Sequence, residues 1–233
     1  MPRNVSEASS NGRTADFGSA YEGSNPSASA SSAPSEASSP HAGQKPVNLR
    51  AELKPLPRPA LILVVGLGQV APRTLADAGQ ALKEILGIPW KAGPTLDRPK
   101  YAFNESRGQY HATSILRRLS QLGSGANHAP VIGVADVDLF LPDAPYVIGD
   151  ADRDAASALF SLFRLSHGDP ELVRKRAQVE TVHAAGHLLG LSHCPDARCA
   201  MFLSRDAADS DRKGPGLCGS CRAAIGFEAP PRP

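Results

Sequence analysis

Apolar residues are spread unevenly along the chain, and their distribution predicts that the folded part begins near residue 57. From Met1 to about Leu53 the sequence is rich in Ser, Ala, Gly, Pro and Asn and has almost no aliphatic residues. Such a segment cannot bury enough apolar area to offset the entropy of its chain. We therefore predict a disordered, low-complexity tail over residues 1–56 and one folded domain over residues 57–233.

Three segments of the folded part show strand patterns. Leu61–Val65 is a short continuous aliphatic run that glycines follow, which predicts a buried strand. Val131–Phe140 alternates as a strand does, and Tyr146–Gly149 predicts a further short strand.

Helix patterns lie between these strands. Apolar residues at three- and four-residue steps predict a helix that opens near Pro72 and ends at Gly87, and a second helix over Ile115–Leu122. Asp154–Arg164 is interpreted as a helix or the start of one. This alternation of helices and strands indicates an α/β (α+β) fold.

The most informative segment runs from Thr181 to Cys194. His183 and His187 are one helical turn apart, so both imidazoles lie on one helix face and can reach a single metal ion. Gly190 can end the helix and turn the chain, which brings His193 towards the same ion. Three histidines leave the fourth position of a tetrahedral zinc open for water and substrate.

Ala184 stands where zinc peptidases of the H-E-x-x-H pattern carry the glutamate that accepts the proton of the zinc-bound water. The ligand pattern is intact, but the general base is missing. Glu180 lies one turn earlier on the same face. Because helical side chains lean towards the helix N-terminus, we expect its carboxylate to point away from the metal.

The cysteines predict a second, structural zinc. All four follow the histidine helix, and two close cysteines with a later C-x-x-C are typical of a closed tetrahedral site. Neighbouring side chains of an extended segment point to opposite sides, so His193 and Cys194 can serve different ions. The alternative is a pair of disulfides, which an oxidising compartment would favour. The proposed structural ligands are Cys194, Cys199, Cys218 and Cys221.

The combined pattern resembles the archaemetzincin branch of the metzincin zinc peptidases. It reads His183-x-x-x-His187-x-x-Gly190-x-x-His193-Cys194, then Cys199-Ala-Met201 and Cys218-x-x-Cys221. A weaker likeness through Gln109–Leu116 and Val131–Leu139 extends it over roughly Pro59 to Phe227. The departure from the family pattern is Ala184.

This resemblance implies a compact metzincin-like domain with a mixed sheet, an active-site helix and a methionine turn under the catalytic zinc, to which Met201 corresponds. It also implies proteolysis of a peptide or protein substrate that binds an edge strand through its main chain. Our candidates for that strand are Tyr146, Val147, Ile148 and Gly149. The alternative is an ordinary buried hairpin strand.

Charge and hydropathy limit the partners. The formal net charge is +2 with acids and bases interspersed, which gives no field suited to collecting nucleic acid. The longest apolar run, Ala60–Val65, is far shorter than the ~20 residues of a membrane span. A secretory signal would require a basic start followed by an apolar run, and the sequence shows no such pattern. We expect a cytoplasmic monomer that binds neither nucleic acid nor membranes.

Two functions follow from this interpretation. The first is a zinc metallopeptidase that is inactive or strongly impaired because Ala184 replaces its base. The second is a non-catalytic zinc protein that binds peptide segments in the former cleft. A third possibility, an interaction module built on the cysteines alone, leaves the histidine spacing unexplained.

Overall fold

A computed structural model describes residues 58–123 and 129–227 of the 233-residue chain. The tail predicted over residues 1–56 lies outside this described part. The tail and the domain boundary therefore stay predictions.

Two sheets form the framework of the domain. The strands are β1 (Ile62–Leu67), β2 (Trp90–Ala92), β3 (Phe103–Asn104), β4 (Gln109–His111), β5 (Val131–Ala135), β6 (Leu139–Leu141), β7 (Ala144–Val147), β8 (Gly149–Asp152) and β9 (Ser157–Ser161). The larger sheet has the order β2-β1-β5-β9-β8, in which β8 is antiparallel to β9 and every other pair is parallel. The smaller sheet has the order β3-β4-β6-β7.

Helices cover both faces of the larger sheet. They are α1 (Pro72–Leu86), α2 (Ala112–Gly123), α3 (Pro170–Leu188), α4 (Ala207–Arg212) and α5 (Gly219–Ala224), with a short 3₁₀ helix over Lys100–Ala102. α1 and α3 share a buried core with one face of the sheet, and α2 packs on the other face. The mixed α/β class predicted from the sequence is confirmed.

The first strand and the first helix form where the sequence predicts them. β1 covers Ile62–Leu67, and α1 begins at Pro72. Gly87 caps α1 in the left-handed conformation, with φ at 61°. Its backbone N–H donates to the carbonyl of Lys83 at 3.1 Å, as a helix-ending glycine does.

Two predicted strands are wrong in extent, because each is divided between the sheets. The segment Val131–Phe140 forms β5 and β6, which are separated where Asp136 accepts the backbone N–H of Gln69 at 2.9 Å and pairs with Arg98 at 2.8 Å. The segment Tyr146–Gly149 is likewise divided between the end of β7 and the start of β8. The polar contacts of Asp136 are long-range, so local periodicity does not reveal where the first of these two segments is divided.

The helix predicted over Asp154–Arg164 is also wrong. This segment contains β9, which lies between β5 and β8 in the larger sheet. All five of its residues are buried. A strand covered on both faces loses its polar alternation, and its apolar run can then be mistaken for a buried helix.

The longest helix, α3, carries the segment with the histidines. Asp169 caps its start by accepting the backbone N–H of Leu172 at 2.9 Å, and Pro170 occupies the first turn. Gly190, with φ at 91°, turns the chain after the helix end, as the sequence predicts. Within the described ranges, no helix is both long enough and apolar enough to span a membrane.

Candidate metal centres and cleft

The structure brings together the three histidines that the sequence singles out. His183 and His187 project from α3, and His193 comes from the segment after the helix. One ring nitrogen from each lies within 4.8 Å of the others. The Nε2 atoms of His183 and His187 are 3.0 Å apart.

Backbone carbonyls orient two of these rings. Nδ1 of His183 lies 2.8 Å from the carbonyl oxygen of Ala200, and Nδ1 of His187 lies 2.9 Å from that of Leu191. A carbonyl oxygen only accepts hydrogen bonds, so each Nδ1 carries the proton and each Nε2 presents a lone pair. Metal-binding histidines are commonly fixed in this way.

The surroundings of the three rings favour their neutral forms. Burial lowers the pKa of His183 well below its usual value, and the positive charge of Lys213 acts in the same direction. Burial also lowers the pKa of His187 and of His193. Neutral rings with converging lone pairs repel one another unless a cation lies between them. The donor set therefore fits a divalent ion such as zinc, with a fourth position open.

Met201 is fully buried and packs against α3 at Gly186. A Cβ atom added to Gly186 would lie 2.2 Å from the sulfur of Met201. The methionine thus occupies the space that the missing side chain of Gly186 leaves, between the two histidines of the helix. In the sequence analysis, only the family resemblance connects Met201 with the metal.

The four cysteines form a second cluster. Their sulfur atoms all lie within 4.8 Å of one another, and the sulfurs of Cys194 and Cys218 are 3.7 Å apart. Zn–S bonds of about 2.3 Å in a tetrahedral site separate the sulfurs by about 3.8 Å. All four thiols are free, in contrast to the disulfide alternative. The geometry fits a closed zinc site.

A turn joins the two clusters. His193 belongs to the histidine cluster and the adjacent Cys194 to the cysteine cluster, as the sequence predicts. The backbone N–H of Cys194 donates to the carbonyl of Met201 at 2.9 Å, and that of Cys218 donates to the sulfur of Cys199 at 3.3 Å. The first bond ties the turn to the buried Met201, and the second lies within the cysteine cluster.

A cleft of about 400 Å³ opens beside the histidines. Ala184 lines it next to His183 and His187, and its side chain is a single methyl group with no proton-accepting atom. Glu180 also borders the cleft, but its Oε1 already accepts from Ser204 Oγ at 2.6 Å and faces the ammonium group of Lys213.

The cleft is bordered by β8, which is an edge strand of the larger sheet among the described residues. Of the four predicted peptide-binding residues, Ile148 and Gly149 line the cleft. Tyr146 and Val147 belong to β7 in the smaller sheet and do not line it. The edge that faces the cleft therefore starts at Gly149.

The structure also places Asp150, which is not among the predicted site residues, in the cleft wall. Its Oδ1 accepts the backbone N–H of Ala151 at 2.9 Å, and burial raises the pKa of its carboxyl group. Arg153 lines the same cleft. The signal that could have found Asp150 is its position on an edge strand, which only the strand order reveals, and Arg153 lies in the turn after that strand.

Comparison with known proteins agrees with this geometry. The family model described as Peptidase family M54 matches residues 91–226. The chain belongs to this family, the archaemetzincins. The archaemetzincin of Thermococcus kodakarensis is 32% identical over 176 residues, which cover 71% of this chain and 95% of the relative. That of Archaeoglobus fulgidus is 37% identical over 134 residues, which cover 58% of this chain and 79% of the relative.

Solved archaemetzincin structures share the fold. The crystal structure from Archaeoglobus fulgidus, complexed with malonate, has a TM-score of 0.63 and 33% identity, covering 71% of this chain and 99% of that one. The structure from Methanopyrus kandleri has a TM-score of 0.65 and 30% identity, covering 73% of this chain and 97% of that one. The expected fold and family are thus confirmed, and the family is one of zinc metallopeptidases.

Proposed function

We propose that this chain is a two-zinc archaemetzincin whose peptidase activity is absent or strongly impaired because Ala184 occupies the position of the general base. His183, His187 and His193 would hold the catalytic-type zinc. The four cysteines would hold a structural zinc. The observation that carries the proposal is the pair of separate donor clusters joined by the His193–Cys194 turn, with a methyl group lining the cleft between the helix histidines.

The residues of the chain have distinct parts in this proposal. The Ala200 and Leu191 carbonyls fix two imidazole rings with their Nε2 lone pairs towards the ion. A bound zinc would supply Lewis acidity that polarises a peptide carbonyl and lowers the pKa of water. β8 would align an extended peptide through its free main-chain groups. Ala184 can neither accept a proton from water nor return one to the leaving amine.

The main alternative is a zinc-binding pseudoenzyme that binds peptide segments without cleaving them. The retained cleft and its exposed strand edge favour this second function, since neither feature depends on residue 184. A general base contributes about 10²- to 10⁴-fold to the rate. Its loss therefore reduces cleavage far more than it reduces binding.

The cellular setting is part of the proposal. Four thiols that bind zinc are suited to a reducing compartment, so we propose that the chain is cytoplasmic. We also propose a monomer that binds neither nucleic acid nor membranes, because its net charge of +2 gives no strong field.

Metal analysis tests the two-zinc proposal. Protein purified without added metal should contain about two zinc equivalents, since it has two ligand sets. His187→Ala should reduce the count to about one and leave most of the stability, while Cys218→Ala should reduce the count and lower the unfolding temperature, because a structural zinc contributes to folding. Oxidised cysteines that hold no metal in freshly purified protein would contradict the proposal.

A further inference from the structure

A buried ion pair lies directly behind the three histidines and has no part in the proposed reaction. The ammonium group of Lys213 is 3.2 Å from Oε1 of Glu180, and the two side chains are 0% and 3% exposed. A buried pair of this kind often stabilises a protein no better than apolar side chains of the same volume. Its presence beside a metal site therefore calls for a local explanation.

The contacts of the pair join the segment 200–204, α4 and α3. Lys213 Nζ donates to the carbonyls of Ala200 at 3.2 Å and Phe202 at 3.0 Å. Glu180 Oε1 accepts from the hydroxyl of Ser204 at 2.6 Å and from that of Ser210 at 2.9 Å. The pair thus binds the segment 200–204 to α3, on which Glu180 lies one turn before His183.

One atom connects this pair to the metal centre. The carbonyl oxygen of Ala200 accepts both from Lys213 and from Nδ1 of His183, the latter at 2.8 Å. We propose that Lys213 and Glu180 act as a positioning clamp: they fix the Ala200 carbonyl, and through it the ring of His183, and thereby raise the zinc affinity of the three-histidine site. This inference rests on the proposed binding of zinc by the histidines.

The arrangement explains why a pair is needed instead of either residue alone. Lys213 is a second donor to the Ala200 carbonyl and holds it in one orientation. The imidazole of His183 then has one plane and one tautomer, in which Nε2 points at the ion. Lysine alone would place an uncompensated positive charge behind the ligands and repel a divalent cation. Glu180 neutralises that charge and belongs to α3, the helix that also carries His183 and His187.

The critical variant is the double substitution Lys213→Met with Glu180→Gln. Glutamine keeps an oxygen for the hydroxyls of Ser204 and Ser210, methionine fills the space of the lysine stem, and no unpaired charge is left. We expect a folded protein with an intact cysteine site. We also expect a zinc affinity at the histidines about 10-fold weaker than in the wild type, the lower end of the range for loss of a ligand's direct partner, because the Ala200 carbonyl itself remains.

Two measurements separate the metal sites. Competition with a chromophoric chelator gives the zinc affinities. Cobalt substitution identifies the sites, because only the thiolate site gives intense sulfur-to-metal charge-transfer absorption. With the histidine site freed of metal, the ¹⁵N NMR signals of His183 report its tautomer without any activity assay, and the clamp predicts that the Nδ1-protonated form dominates in the wild type and is mixed with the other tautomer in the double variant.

The matched control is Arg176→Met with Asp211→Asn. Arg176 is a buried cation on the same helix, and it pairs with Asp211 at 2.7 Å without contacting the histidines. We expect this control to keep the zinc affinity of the wild type, even where its thermal stability falls.

Equal histidine-site affinities in the wild type and in the Lys213→Met, Glu180→Gln variant would overturn the clamp alone. So would an equal loss of affinity in the control. A wild-type chain that holds zinc only at its cysteines would refute the proposed function, and the clamp with it.

Discussion

Under the proposed function, residue 184 sets what the cleft can do chemically. Ala184 is 5% exposed and lines the cleft between two histidines of α3. Glutamate has a helix propensity close to that of alanine. Its side chain would extend into the open cleft from this position, so the fold should accept it.

We predict that Ala184→Glu creates or raises zinc-dependent peptidase activity. A general base is typically worth about 10²- to 10⁴-fold in rate, so cleavage of a broad peptide library should rise by a factor in that range. The matched control is Ala184→Gln, which has the same shape and cannot act as a base. Chelator, or an added His187→Ala substitution, should abolish the gain.

The opposite result would be equally informative. A chain with Ala184→Glu that binds two zinc ions and still cleaves nothing has lost more than its base. The peptide-binding function would then be preferred.

Gly186 provides a second test at the scale of single residues. Helix propensity alone predicts that Gly186→Ala stabilises α3 by about 1 kcal/mol. The added Cβ would, however, lie 2.2 Å from the buried sulfur of Met201. We expect the overpacking to dominate and to lower the free energy of unfolding by about 1–3 kcal/mol, as measured in urea.

Gly219→Ala in α5 is the matched control for that substitution, because in the described part of the chain no heavy atom beyond its neighbours and its own helix backbone lies within 4 Å of the Cβ it would add. Its free energy of unfolding should be unchanged or slightly higher. A stabilised Gly186→Ala variant would mean that Met201 moves aside at little cost.

At the scale of elements, α3 is held in place along its length. Arg176 is 3% exposed and donates to the carbonyls of Leu165 at 2.8 Å and His167, and it pairs with Asp211 of α4. These contacts fix the N-terminal half of the helix, while Lys213 and the two histidine-bound carbonyls fix its C-terminal half. The helix therefore presents His183 and His187 from a rigid support.

The Arg176–Asp211 pair predicts a pH dependence of stability. The hydrogen bond from Arg176 lowers the pKa of Asp211 below its usual value of 3.8. A lowered folded-state pKa contributes stability above the unfolded-state value, and this contribution is lost as the pH falls through the folded-state value. Asp211→Asn should therefore be less stable than the wild type at neutral pH, and the difference should shrink below about pH 4.

Urea unfolding of both proteins over this range measures the effect. Subtracting the free energy of unfolding of Asp211→Asn from that of the wild type removes the contribution of groups that both proteins share, including zinc ligands that protonate in acid. A constant difference at all pH values would show that the carboxylate charge of Asp211 does not contribute.

At the scale of the whole molecule, the last described part of the chain contains all four cysteines and little regular structure. Between the end of α3 and residue 227 the regular structure consists of the short helices α4 and α5. Cys199 and Cys221 are buried there with Met201. A segment with little regular structure gains its order from cross-links, and four sulfurs around one ion would supply them.

The N-terminal tail should be dispensable for folding. Deleting residues 1–50 should leave the thermal transition and the zinc content unchanged, because the sequence of that segment offers no apolar face that could pack. Calorimetry and metal analysis of the full and shortened chains provide the comparison. A large loss of stability would show that the tail belongs to the fold, and a loss of peptide binding alone would make it a regulatory arm.

The sequence by itself determined the features that arise from short-range spacing. The i, i+4 step of His183 and His187, the turn at Gly190 and the spacing within each cysteine pair each lie within a few residues, where helix and turn geometry fix the outcome. The same holds for α1, whose apolar stripe and terminal Gly87 are local. The family resemblance followed from these residues, and the comparisons confirmed it.

Only the tertiary structure decided which distant residues meet. It turned the supposed helix near Asp154 into β9, which pairs with a strand along each edge and is covered by helices on both faces. It also placed Asp150 in the cleft and Lys213 against the Ala200 carbonyl, 13 residues away in sequence. The physical reason is common to these cases: strand order and buried polar contacts depend on chain segments far apart in sequence, which leave no periodic signal in the residues that form them.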